Sequence, residues 1–273
     1  PAGEWDALIA KADKLPGGEA LAFDDSLFAS FQAGRASAPQ LVTGAVKLAS
    51  NPDSYASEAG IGSLAWFYRA GMLDEAGEEG YRALIRQIYA PKVKAMGFTP
   101  RAGAYASDDP EKSQLRIQAV ATLAGTARDP ELRKALGTAA RAYLAGDKAA
   151  LDAAWYGSAF AVLVDEGGMA AVKQLIDAGL GSQDSLLRGA ALGAAATSGK
   201  EDIARWLLEE FDDPRLRRNE RQGFIRGVIG ARDTRDWGFA WLQTNFEKVI
   251  ASGGGIFITV RLPSMVGGYC SVQ

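Results

Sequence analysis

Histidine is absent from all 273 residues. Without it there is no HExxH zinc site, no Ser-His-Asp or Cys-His nucleophile pair and no imidazole general base, so most hydrolase mechanisms are closed to this segment alone. Cysteine occurs once, at Cys270. No intrachain disulfide can form, and a single thiol leaves cytoplasm and periplasm both open. Long apolar runs are missing too: none approaches the roughly 18 to 20 residues a membrane-spanning helix needs. Charge is balanced, with 30 basic against 33 acidic residues and a net charge of -3. Nucleic-acid binding needs a basic patch or stripe, and only Arg215 to Arg221 comes near one; a solvated helix entrance accounts for that run, so neither nucleic acid nor a membrane span is expected.

With 48% hydrophobic residues the chain can bury an ample core, as one extended domain or two closely packed ones. Apolar residues recur at helical spacing throughout: Leu41, Val42, Ala45 and Leu48; Tyr81, Leu84, Ile85, Ile88 and Tyr89; Leu132, Leu136, Ala139 and Tyr143; Phe224, Ile225, Val228 and Ile229. Period-two runs are missing until residues 255–260, the one strand candidate, for which an irregular loop after Gly253-Gly254-Gly255 is an equal alternative. Asp-Pro at 109–110, 129–130 and 213–214 predicts three helix starts, with the carboxylate as N-cap and proline at the first helical position. Glycines at 97, 146, 167–168 and 199 predict left-handed C-caps, and Pro91 is expected to end or kink the helix that begins near Glu78. About a dozen short, closely spaced helices follow, predicting an all-α chain of stacked helical hairpins in a HEAT- or armadillo-like α-α superhelix. The shared DPxLR of Asp129–Arg133 and Asp213–Arg217 is a faint echo of a two-helix repeat.

Motif-like strings reduce to structure. Gly60-Ile61-Gly62-Ser63-Leu64-Ala65 spells GxGxxA, but no strand precedes it, so tight helix packing is the better reading. Gly199-Lys200 lacks the other residues of a phosphate loop. Adjacent acids stand at 24–25, 108–109, 165–166, 209–210 and 212–213; a magnesium site of an all-α enzyme requires carboxylates one turn apart, yet Asp24-Asp25 is followed by Phe28 and Asp212-Asp213 by Leu216 at that spacing, and helix capping and dipole complementarity explain the pairs better. Trp237 and Trp241, one turn apart, read as core. Arg116 falls on an apolar seam with Val120, Leu123 and Ala127, where a charge needs a partner: Asp108, Asp109 or Glu111 could pair with it, and substrate contact is the alternative.

Four stretches carry a family likeness. They are Phe23-Asp24-Asp25-Ser26-Leu27-Phe28-Ala29 with Ala33-Gly34; Ile88-Tyr89-Ala90-Pro91 through Met96-Gly97-Phe98, followed by Glu111 to Arg116; Asp236-Trp237 with Trp241 and Asn245-Phe246; and Arg261 to Cys270. In this order they resemble the C-terminal domain of the zinc aminopeptidases that include the puromycin-sensitive and endoplasmic-reticulum enzymes, over nearly the whole chain. The resemblance implies a helical superhelix spanning 1–273, cut at both ends from a longer protein. It implies a non-catalytic domain that encloses the substrate cavity and limits peptide access to an upstream catalytic domain of the same chain. Zinc, held by HExxH and a distant glutamate, and the GxMEN segment belong to that other domain. No catalytic, cofactor or metal residue is therefore assigned here, and the substrate-binding residues stay unassigned. A stand-alone α-solenoid that binds another protein is the alternative.

Overall fold

The structure, a computed structural model, describes residues 2–253. The strand candidate at 255–260, the 261–270 stretch and Cys270 lie outside the described residues. Thirteen α-helices and no strand occur among the described residues, so the all-α expectation holds.

The chain divides into two compact units. The first comprises residues 1–95 and 109–116, and contains α1 (Ala2–Ile9), α2 (Gly17–Gln32), α3 (Ala38–Leu48), α4 (Ser54–Ala70) and α5 (Glu75–Met96) up to Ala95, with the opening turns of α6 (Pro110–Gly125). Its core is Phe23, Leu27, Leu41, Leu48, Ile61, Ile85 and Tyr89. Gly60 is where α3 and α4 meet most closely: a Cβ there would lie 2.6 Å from the Ala45 Cα. The GxGxxA string thus lies inside α4, and its first glycine serves tight helix packing, as its context implied.

The second unit holds the rest of α6, then α7 (Pro130–Leu144), α8 (Tyr156–Gly181), α9 (Ser185–Ala196), α10 (Glu201–Glu209), α11 (Arg218–Gly230), α12 (Arg235–Thr244) and α13 (Phe246–Gly253). Sequence neighbours pack on one another, α7 on α8 and α8 on α9, and α9 also packs on α11. Leu136, Phe160, Leu175, Ile203, Phe224 and Val228 fill the interior. Trp155 anchors the 97–108 segment, with the Phe98 ring 5.0 Å and the Tyr105 ring 6.4 Å away by centroid. Trp241 packs edge-on against Phe211 and Trp237 lies beneath the Arg205 guanidinium; both rings are half-buried, so neither is the fully buried core residue expected.

Most boundaries fall where their chemistry placed them. Asp109 and Asp129 accept backbone N–H bonds from Lys112 and Leu132 at the starts of α6 and α7, and Gly97, Gly146, Gly168 and Gly199 adopt positive φ. One boundary expectation needs correction. Asp213-Pro214 does not start a helix: it lies in the turn before α11, whose N-cap is Arg217, and the Asp213 carboxylate is occupied by Arg215. Gly168 (φ 63°, ψ -163°) ends the first helical run of α8 in the left-handed region, as expected, and a second run continues directly beyond the break. Of the two outcomes expected at Pro91, a helix end does not occur, since α5 runs on to Met96 with the proline on its exposed side. Arg116 is only 2% exposed. Its guanidinium is an interior group and is not offered to a ligand at the surface.

Candidate functional site

In the second unit the local chemistry that starts the helices also builds a polar surface. Asp129 caps α7, and Arg133, one turn on, points back toward α6: Nη1 donates to the Ala124 carbonyl at 3.1 Å, closing one of the carbonyls a helix end leaves open. Its Nε reaches Glu166 at 3.0 Å and its Nη2 reaches Asp165 at 2.5 Å. The device recurs 55 residues further on. Asp184 caps α9, and Arg188 donates to the Leu180 carbonyl of α8 at 2.8 Å and to both oxygens of Glu220, at 2.6 and 2.8 Å. Glu220 in turn accepts the Arg217 N–H at the start of α11. The true internal echo is therefore Asp-x-x-x-Arg at 129–133 and 184–188; at 213–217 the same letters serve another role.

Asp165 is the hub of the first network. Arg128, the one non-glycine described residue with positive φ (55°), donates to it at 2.7 Å, and the Lys200 Nζ lies 3.7 Å from its other oxygen. The break at Gly168 frees carbonyls of the preceding turn, and Lys200 takes those of Val164 and Asp165. Burial opposes the charge on Asp165, but the Arg133 hydrogen bond and the charges of Arg128, Arg133 and Lys200 outweigh it and hold the carboxyl below its ordinary range. The Arg188 hydrogen bonds likewise hold Glu220 low. The acid pair 165–166 is thus an ion-pair acceptor in mid-helix and caps nothing. Asp24 is also no cap: it is buried within α2, accepts the Ser63 hydroxyl at 2.8 Å, and has a pKa raised by burial.

A groove of about 410 Å³ opens beside this network, between α6, α8 and α9, floored by Gly125, Gly157, Ala161 and Ala194 with the hydroxyl residues Ser158, Thr197 and Ser198 on its walls. Thr197 also lines a second depression of about 510 Å³ between α9 and α11, whose lining includes Gly189, Gly193, Gly223, Asn219 and Arg226. Two kinds of glycine separate here. Gly179 and Gly227 lie where helices touch, a Cβ on them meeting Ala191 at 2.8 Å and Ala196 at 2.7 Å. Gly189, Gly193 and Gly223 are helix-interior glycines with nothing within 4 Å of a Cβ. Each costs its helix about 1 kcal/mol relative to alanine, and no packing need explains them. They leave a low, hydroxyl-edged surface. Sequence reasoning missed it; the one available signal was glycine inside the alanine-rich helices, as in Arg188-Gly189-Ala190-Ala191-Leu192-Gly193.

Among the described residues no three potential metal-binding side chains cluster, and no helix is long and apolar enough to cross a membrane. The fold defines a class: an all-α domain whose second unit carries depressions edged by hydroxyl and basic side chains. A family model described as the ERAP1-like C-terminal domain matches residues 1–273, and the chain belongs to that family, the C-terminal domains of ERAP1-like aminopeptidases. No curated protein matches the chain.

Proposed function

We propose that this chain is the non-catalytic wall of a zinc aminopeptidase, enclosing the substrate cavity and limiting which peptides reach a catalytic domain elsewhere in the parent protein. The family match across the whole length is the observation that carries this reading. The absence of histidine supports it, since the zinc ligands and the metal-activated water then come from the partner domain. The low groove of the second unit supports it as well: a surface of glycine, alanine and hydroxyl side chains admits an extended chain close to the helix backbones, and serine and threonine can bond its peptide groups. Contact of this kind depends little on peptide sequence.

The test splits the parent protein into its catalytic portion and this chain, then recombines them. Association should alter hydrolysis of peptides of ten or more residues more than that of single aminoacyl amides, because a wall near the zinc restricts the tail and leaves the reacting amine and carbonyl untouched. Failure of the pieces to associate, or an equal effect on long and short substrates, counts against the role.

A further inference from the structure

A separate cavity of about 650 Å³ lies in the first unit, where the opening turns of α4 and α6 adjoin. Ser54, Tyr55 and Glu58 line it from α4, and Glu111, Gln114 and Leu115 from α6. Both charged lining residues are acidic. Tyr55 is 77% exposed, an unusual position for a large aromatic side chain with a core close by. Glu58 is half-buried, and its carboxylate accepts no hydrogen bond from the described residues. Burial pushes its pKa up, only partly offset by the charge of Lys92 on α5. Lys92 is itself pushed down by burial, and its Nζ rests 5.5 Å from the centre of the Tyr89 ring. Glu58 and Lys92 therefore sense each other without forming an ion pair. A half-buried carboxylate without donors is costly to keep, and here it faces open space.

We propose that this cavity binds the guanidinium of an arginine side chain, with Glu58 accepting its hydrogen bonds, Glu111 adding charge at the rim and the Tyr55 ring covering the cation. A guanidinium matches a carboxylate with two parallel N–H donors and stacks on an aromatic face, which suits this lining better than a compact ammonium does. Gln114 supplies a further amide oxygen. The guanidinium chemistry stands on the cavity alone; that the arginine belongs to a substrate peptide rests on the wall role proposed above.

The test titrates the isotope-labelled chain with acetyl-arginine-methylamide and with its neutral citrulline counterpart, followed by NMR. Saturable shifts confined to residues around Tyr55, Glu58 and Glu111 are expected, with citrulline weaker by about tenfold or more. Glu58→Gln should weaken the arginine probe by about tenfold and Tyr55→Ala by about threefold. Lys92→Met should tighten binding, because it removes the cation that competes for Glu58. Equal binding of arginine and citrulline, or no change on Glu58→Gln with the fold intact, overturns the site. Should Glu58→Gln disturb folding, the exposed Tyr55→Ala variant decides, and unchanged affinity there overturns it as well. In the parent enzyme, long peptides containing arginine should be handled differently from citrulline analogues. If they are not, while the probe still binds, the guanidinium site stands and its peptide source is overturned.

Discussion

At the residue scale, stability concentrates in two buried arginines that each join three elements. Arg188 has a side chain 7% exposed and Glu220 one 12% exposed, so removing the cation strands a carboxylate in the interior. Arg188→Met should cost about 3–5 kcal/mol in urea unfolding, and adding Glu220→Gln should give back part of that loss. A double variant as unstable as the sum of the single ones would show that the two side chains act independently. The same networks set the acid limit. Asp165, Asp213 and Glu220 have folded pKa values below their unfolded ones, chiefly through their arginine partners in the last two and against burial in the first. Groups so depressed contribute stability that is fully present above their unfolded values, near pH 4, and is lost as pH falls through the folded ones. The melting temperature should therefore fall steeply below about pH 4. Asp24 runs the other way, because burial raises its pKa and its charge opposes folding at neutral pH. Asp24→Asn keeps an acceptor for Ser63 and should raise the melting temperature at pH 7 while having little effect near pH 3.

At the element scale, glycine distinguishes surfaces that look alike in the sequence. Gly60 and Gly62 lie two residues apart in α4, yet a Cβ on the first would press on the α3 backbone and one on the second would meet nothing within 4 Å. Gly60→Ala should cost about 1–3 kcal/mol through overpacking, and Gly62→Ala should gain about 1 kcal/mol from helix propensity. Denaturant midpoints that moved in the same direction would refute that assignment of faces. Gly193→Ala in α9 should also stabilise the isolated chain, by about 1 kcal/mol. In the recombined enzyme it should weaken the discrimination between long and short peptides, since the added methyl stands in the groove. A gain in stability without any change in discrimination would detach the groove from peptide contact.

At the scale of the whole molecule, the proposed role sets what the chain can do alone. The isolated chain should hydrolyse no aminoacyl chromogenic substrate, with or without added zinc, because it has no imidazole to ligate the metal. Turnover that co-purified with stoichiometric zinc through a final column would contradict this. Large apolar side chains stand exposed, Leu8, Val42, Trp66, Leu186 and Phe246 on helices and Met72 in the turn after α4. An apolar depression of about 480 Å³ in the first unit, lined by Phe31, Leu41, Val42 and Phe67, adds to them. Weak self-association at high concentration, measured by sedimentation and relieved by the recombined catalytic portion, is the expected outcome. A strictly monomeric chain would argue that these side chains cover no partner.

The sequence alone determined the helical class, most helix boundaries and the absence of catalytic imidazole chemistry, because these depend on local terms: a period of 3.6, an N-cap carboxylate, a glycine at positive φ and the presence or absence of a residue type. It also carried the family likeness, through the order of its short motifs. Only the tertiary structure decided which Asp-x-x-x-Arg pairs repeat, since Arg133 and Arg188 are recognised by carbonyls and acids that lie 8 to 33 residues away in the chain. The same holds for the glycines that face a groove and those that face a helix, and for the half-buried Glu58 beside an exposed Tyr55. Burial and open space belong to the packing of several elements at once, and no single segment encodes them.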